Sequence, residues 1–532
     1  MKWIFKCLFV GCVILGVAAC QNQPDSPTPP FGEVQEEENV YLKMAMSFSA
    51  KTGTRTPSDN VVTEPGKESE TIVSEVLLVL ADDDNRNIAA GILENASSIK
   101  GEHRNYVIGI PFRLVKNHTG ETLNVYAFCN PTEELKSLAK NTPDGTLPEY
   151  FIDKIYTLTG FNNDPAWEPG HFLMSNARSY QTVLPDNWSD YRSISTPFPL
   201  LGEKELEVER TVARFDYKMI REENKYPVSS DKNDIDKTDN PEVLIQLTDA
   251  AFINASKNFY YVKRVGDEGI TNINYCGEET GENFVIDTDA RYKMDLENWS
   301  SKNEYFYSNM EDPDSWIWDN LSSITENEED NVWGDDDEIT RGYHIWRYIA
   351  ENTAPTVISQ DRKISTGIVF KGKIIPGENC SQEMKNALEK AEEPIYVFDN
   401  ILYGTWSMTK KAGETNEQLR VACYAVENDK LSYEEAGFTV YKPTNGIYEN
   451  YYFYWNIHND NGIDDPMDDK FLCPMKYAVV RNNIYKLSID GIFNFGYPDD
   501  YPSDKKDLLP RIMVSVKVLP WVVQDYELTI EE

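Results

Sequence analysis

Val40-Tyr-Leu-Lys-Met-Ala-Met-Ser-Phe48 is the stretch that decides the fold class. Val40, Leu42, Met44, Met46 and Phe48 occupy every second position, with Tyr41, Lys43, Ala45 and Ser47 between them. Successive side chains of a strand point to opposite faces, so this pattern predicts a strand with one buried side. Outward from it, strand-like runs recur at Thr71–Ala81, Tyr106–Lys116, Leu123–Cys129, Thr366–Ile375, Tyr452–Ile457, Tyr477–Ile489 and Arg511–Leu519. Helical signals are sparse. Asn130 precedes Pro131 as a helix cap would, and Met384, Ala387, Leu388 and Ala391 follow the spacing of one helix face starting from Ser381. The expected fold is mainly β, two antiparallel sandwich-like domains with a few short helices.

The flanks of the 40–48 strand carry two further signals. Before it, Lys2 and Lys6 precede an apolar run from Cys7 to Val17, and Ala18-Ala19 stand directly ahead of Cys20. A positive start, a short apolar core and small residues before a cysteine predict a signal peptide over 1–19 with acylation of Cys20. The run is shorter than the ~20 residues a permanent span requires. Residues 21–39 are polar, acidic and proline-bearing, and read as a tether. After the strand, Lys51-Thr-Gly-Thr-Arg55-Thr56-Pro57 has the composition of an exposed loop open to proteases. The order is tether, strand, cleavable loop.

Composition narrows the function. With 51 basic and 89 acidic residues the net charge is −38, which repels phosphate backbones, so no nucleic-acid partner is expected. The cysteines beyond Cys20 (Cys129, Cys276, Cys380, Cys423 and Cys473) are far apart and form no Cys-x-x-Cys pair. Buried thiols with one or two bridges are the expectation. Five scattered histidines and the absence of nucleophile-elbow, P-loop or dinucleotide-binding motifs predict no catalytic residue, no metal and no cofactor. Acidic clusters at 328–338 and 458–469 lack the spacing of an EF-hand loop and are expected to be solvated loops. Trp299, Trp316, Trp318, Trp333 and Trp346 gather in one stretch, either as packing or as a glycan-binding surface.

The chain's last strand signal is double. Ile512, Val514, Val516 and Val518 alternate with Met513, Ser515 and Lys517. Pro520-Trp521 then breaks the run, and Val522, Gln524, Tyr526, Leu528 and Ile530 resume it. Such a strand either pairs inside its own sheet or adds to a neighbour's, where its backbone groups are equally satisfied.

Three landmarks, Val208-Glu-Arg-Thr-Val-Ala-Arg214, Val479-Val-Arg-Asn-Asn-Ile-Tyr485 and Val516-Lys-Val-Leu-Pro-Trp521, resemble those of the Bacteroidetes fimbrillin superfamily, most closely the shaft subunit of the short (minor) fimbria. Asn124–Asn130 and Glu351-Asn-Thr353 support the resemblance. It implies transthyretin-like sandwiches, export as a lipoprotein to the outer membrane, and cleavage by an arginine-specific protease. The matching positions are Arg55-Thr56 for the cut, with Lys51 as a rival; Leu42, Met44, Met46 and Phe48 on the strand removed; and Val522, Gln524, Tyr526, Leu528 and Ile530 on the strand donated to the next copy. The implied product is a homopolymeric surface fimbrium serving adhesion, co-aggregation and biofilm formation. Its implied partners are anchor and tip subunits and host or bacterial surface ligands. The expected organisation is 1–19 signal, 20–55 propeptide, 56–225 N-terminal domain and 226–532 C-terminal domain. An anchor or tip subunit, or a glycan-binding surface lipoprotein, is the alternative.

Overall fold

The computed structural model describes residues 39–48, 64–96, 104–140, 151–280, 282–295, 305–326, 342–458, 472–500 and 512–522. The chain is mainly β. Three sheets carry the architecture, and we label the strands that build them.

The first sheet contains β1 (Asn39–Phe48), β3 (Val76–Ala81), β4 (Asn87–Leu93), β5 (Arg104–Pro111), β6 (Thr122–Cys129), β7 (Met174–Asn176), β8 (Phe198–Pro199) and β9 (Glu205–Arg210). Its pairing order is β5, β1, β9, β7, β6, β3, β4, with the two-residue β8 sharing the edge of β1 that β9 uses further along. The sheet curls until β4 packs against β5. A Cβ built on Gly91 of β4 would lie 2.6 Å from the Gly109 carbonyl of β5 and 2.5 and 2.7 Å from methyls of Ile110 and Ile108. Only a glycine permits that approach. The enclosed core includes all six residues of β3, which read as a continuous apolar run because both its faces are covered.

The second sheet runs β2 (Glu64–Pro65), the terminal β16 (Ile512–Val522), β15 (Asn483–Ile492), β10 (Ala213–Lys218) and β12 (His344–Ile349). The third is centred on β11 (Val243–Ile253), β13 (Gly367–Pro376) and β14 (Glu449–Trp455). These two face each other across one core. Phe215, Tyr485, Leu487 and Ile489 come from one side, and Ile245, Phe252, Ile368, Phe370, Tyr452 and Tyr454 from the other. Phe215 stacks on Tyr485 at 4.7 Å and meets Phe252 edge-on at 5.0 Å. A sandwich results, as expected.

The chain passes from the first sheet to the second at Thr211–Val212, between β9 and β10. Ala213–Lys218, which a division at 225/226 assigns to the N-terminal unit, is therefore laid between β15 and β12. Polar composition around Glu222–Asp239 marks instead a short hairpin, Ser229–Asp231 with Asp234–Thr238.

Several element boundaries differ from expectation for identifiable reasons. The apolar run after Tyr106 bends at Pro111 into a helix over Phe112–Lys116, where Val115 is buried. Asn130 does not cap a helix. It sits at φ 51°, and its side chain accepts from Ser74 N and donates to the Ile72 and Phe172 carbonyls, at 2.8, 2.8 and 2.9 Å. Thr132 Oγ1, accepting from Leu135 N, does the capping. Ser381 caps its helix as read, accepting from Met384 N. Residues 71–75 and 477–482 lie outside the strands, with Val479 forming an isolated bridge to Asn352. Pro520 does not break the last strand: it lies on β16 opposite Asn483, and the strand runs on to Val522.

The tryptophans resolve as packing. Trp316 is buried and meets Trp318 at 5.7 Å and Phe453 at 6.2 Å, while Trp346 packs on Phe252 at 4.4 Å. Trp299, Trp333 and both acidic clusters lie outside the described residues, apart from His458. Cys129, Cys276 and Cys423 are buried thiols. Among the described residues no helix is long and apolar enough to cross a membrane.

Candidate functional site: the strand β1 and its groove

β1 is an interior strand of the first sheet, next to its β5 end. Eight register pairs, Asn39↔Pro111 to Met46↔Arg104, join it antiparallel to β5. Its other edge pairs in parallel with β8 at Leu42↔Phe198 and Lys43↔Pro199, then with β9 from Ala45↔Glu205 to Phe48↔Val208. The Lys43 carbonyl also accepts from Leu200 N at 2.9 Å, which continues the ladder between the two short partners.

The buried face is the one the alternation predicts. Val40, Leu42, Met44 and Met46 are at most 3% exposed, beside Ile108, Ile110, Leu206 and Val208. Phe48 is half-buried, with the Arg210 guanidinium 5.4 Å from its ring centroid. At about 1.5–3 kcal/mol for each large apolar side chain, the four enclosed residues contribute on the order of 10 kcal/mol. The strand that sequence singled out is thus the one that fills the groove.

The other end of the predicted device lies apart from it. β16 pairs with β15 from Asn483↔Pro520 to Ile492↔Ile512, and its tip meets β2 at Glu64↔Trp521 and Pro65↔Val522. Val522 therefore belongs to a strand held in the chain's own sheet. Cys20, Arg55, Thr56, Gln524, Tyr526, Leu528 and Ile530 lie outside the described residues.

Between groove and terminal strand runs a buried ionic seam that sequence reading missed as such. Its arginines, Arg210, Arg214 and Arg481, belong to the landmarks. Arg214 spans two acids: Nη1 reaches Glu70 Oε2 at 2.9 Å, while Nε and Nη2 each reach Asp216 at 2.9 Å. Tyr348 Oη donates to Glu70 at 2.5 Å, and Arg210 Nε donates to the Glu70 carbonyl at 3.1 Å. Arg481 pairs with Glu351 at 3.0 and 2.6 Å and donates to the Tyr260 carbonyl at 2.8 Å. Lys293 sits among Asp287, Asp289, Asn352 and the Thr353 carbonyl. These groups are buried, and for Arg214 burial works against the charge, but Asp216 and Glu70 outweigh it and hold its pKa above the ordinary arginine range. An arginine flanked by apolar residues was the only local trace of this seam.

Lys263 completes it, 3.1 Å from Glu209 and 3.4 Å from Glu279. Burial pushes the Glu209 carboxyl up to about 7, against Lys263 and with Glu279 adding to the rise. The folded chain thus holds a proton that the unfolded chain releases from near the ordinary value of 4.5 upward. Stability is expected to fall as pH rises from about 4.5 to about 7, and Glu209→Gln should flatten that slope. Urea denaturation of both proteins at several pH values checks this. Parallel slopes would mean that Glu209 does not titrate in that window.

The fold defines a class: a multi-sheet β protein with one early strand buried between two others. Comparison with known proteins names the family that the class points to. Residues 444–527 match the family described as "Major fimbrial subunit protein type IV, Fimbrillin, C-terminal". The fimbrillin resemblance read from the landmarks holds, without resolving the minor from the major subtype. No curated protein matches the chain. Among solved structures, it is similar to the tip fimbrial protein of Porphyromonas gingivalis with C-terminal truncation, at 13% identity and a TM-score of 0.38, covering 91% of this chain and 100% of that one. It is likewise similar to a fimbrilin of Porphyromonas gingivalis W83, at 11% identity and a TM-score of 0.37, covering 92% and 99%.

Proposed function

We propose that the chain is a structural subunit of a surface fimbria, matured by removal of β1 and polymerised by entry of a second copy's C-terminal segment into the vacated groove. The observation that carries this reading is β1 itself. It is an N-terminal strand with its apolar face enclosed, followed by Arg55-Thr56 in a loop-like stretch. The alternation past Val522 supplies a matching apolar face of Tyr526, Leu528 and Ile530 in a segment tethered at one end.

In this reading Cys20 carries the precursor's lipid to the outer membrane and is discarded with β1. An arginine-specific protease makes the cut, and anchor and tip subunits complete the fibre, which serves adhesion to host or bacterial surfaces. Arg210 and Arg214 stand on either side of the passage from the first sheet to the second. N-terminal sequencing of protein sheared from the cell surface is expected to begin at Thr56. An acylated Cys20 on fibre-incorporated protein would sink the reading.

A further inference from the structure

The two walls of the groove are not equivalent. One wall, β9, belongs to a continuous ladder, since β9 pairs with β7 at Val208↔Asn176 to Arg210↔Met174 and β7 with β6, whereas the two-residue β8 is laddered, among the described residues, to β1 alone. It is also bolted to the rest of the molecule: Arg210 N donates to Asn482 Oδ1 at 3.3 Å, and Glu209 pairs with buried Lys263. The other wall is β5. Among the described residues, β5 forms a ladder with β1 and with no other strand.

On its far side β5 packs on β4 without forming a ladder among the described residues. Ile108 and Ile110 lie over the bare backbone of Gly91 in β4, and Tyr106, Ile108 and Ile110 face the same core as β1. When β1 leaves, the β9 wall loses one edge of pairing and keeps the other. β5 loses its whole ladder, and half the apolar neighbours of its buried side go with it. A strand with no ladder partner on either edge is not independently stable in water.

Resting on the strand-exchange reading above, we infer that β5 (Arg104–Pro111) is a flap: it detaches from the sheet when β1 is removed and is re-laid only when a second copy's C-terminal strand enters. The groove is consequently not a preformed slot. It has one fixed wall, β9, which sets the direction and register of the incoming strand, and one wall that folds onto that strand from the outside. Closure of β5 brings a full antiparallel ladder, so the entering strand gains backbone pairing on both edges only at the last step. Entry against a half-open groove is easy, whereas escape requires β5 to peel first. This asymmetry gives slow dissociation without demanding slow assembly.

The test uses hydrogen exchange read by mass spectrometry on three forms: the uncut chain; the chain cut at an introduced protease site after Phe48, with β1 stripped off and residues 521–532 deleted to prevent polymerisation; and that cut form with a synthetic peptide of residues 39–48. Amides of 104–111 are expected to exchange about 100-fold faster or more in the cut form than in the uncut chain. Those of 205–210 should change less than about tenfold, and the peptide should restore β5. Should the stripped chain unfold as a whole, uncut Leu42→Ala/Met44→Ala keeps the question open to measurement, because β5 must then loosen together with β1 while 205–210 stays protected. Equal protection of 104–111 with and without β1 would overturn the flap. A peptide of residues 521–532 separates the two ideas: protection by 39–48 but not by 521–532 upholds the flap and refutes the donor assignment.

Discussion

A mature chain starting at Thr56 and ending at Pro520 is expected to fold, to remain monomeric and to form no fibres. The truncation removes Tyr526, Leu528 and Ile530, whose burial in a neighbour would contribute about 5–9 kcal/mol at about 1.5–3 kcal/mol each. At about 1.4 kcal/mol per tenfold, that corresponds to roughly three to six decades in association constant. Folding should survive, because the ladder between β15 and β16 runs from Asn483↔Pro520 to Ile492↔Ile512 and stays intact. Only the two-residue contact of β2 with Trp521 and Val522 is lost. Sedimentation velocity and electron microscopy read the outcome, with circular dichroism as the check on folding. Leu528→Asp in the full chain should act in the same direction, since a carboxylate cannot be enclosed on an apolar face without a partner. Normal fibres from the truncated chain would refute the donor assignment while leaving the fold untouched.

The second large effect is expected at Arg214. Replacing it with Met leaves Glu70 and Asp216, both buried, without the guanidinium that pairs with each of them. Breaking a buried pair from one side typically costs about 3–5 kcal/mol, a large share of the stability of a folded unit. Arg214→Lys should recover part of this, because an ammonium supplies charge but not the two-pronged geometry toward Asp216. The triple replacement of Arg214, Glu70 and Asp216 by apolar residues of similar volume should cost less than Arg214→Met alone. Chemical denaturation of the three variants ranks them, and a triple variant less stable than the single one would contradict the account. The consequence reaches maturation. Glu70 ties its segment to β10, so in the proposed maturation the new chain end at Thr56 would begin fourteen residues before a fixed point.

Much of the groove was legible in the sequence, and the reason is geometric. A strand's two faces alternate with period two, so Val40, Leu42, Met44 and Met46 declare their burial without reference to any partner. The helix capped by Ser381 was equally local. Misreadings arose where period could not decide: Phe112–Lys116 is apolar at spacings that suit a strand or a helix, and Pro111 settles it. Pro520 looked like a terminator because its missing donor matters only if the edge is paired there, and that depends on which strand lies alongside.

The sequence by itself determined the β class, the enclosed face of β1 and the alternation of the last strand, because each follows from side-chain periodicity along a few residues. Tertiary structure alone decided that β1 has one anchored wall and one dependent wall, and that the landmark arginines are buried rather than exposed. Those facts rest on partners far apart in the chain: Arg214 with Glu70 at a separation of 144, Tyr348 with Glu70 at 278, Arg481 with Glu351 at 130. An arginine's charge reads the same in sequence whether water or a carboxylate surrounds it. Only the fold supplies the carboxylate and removes the water.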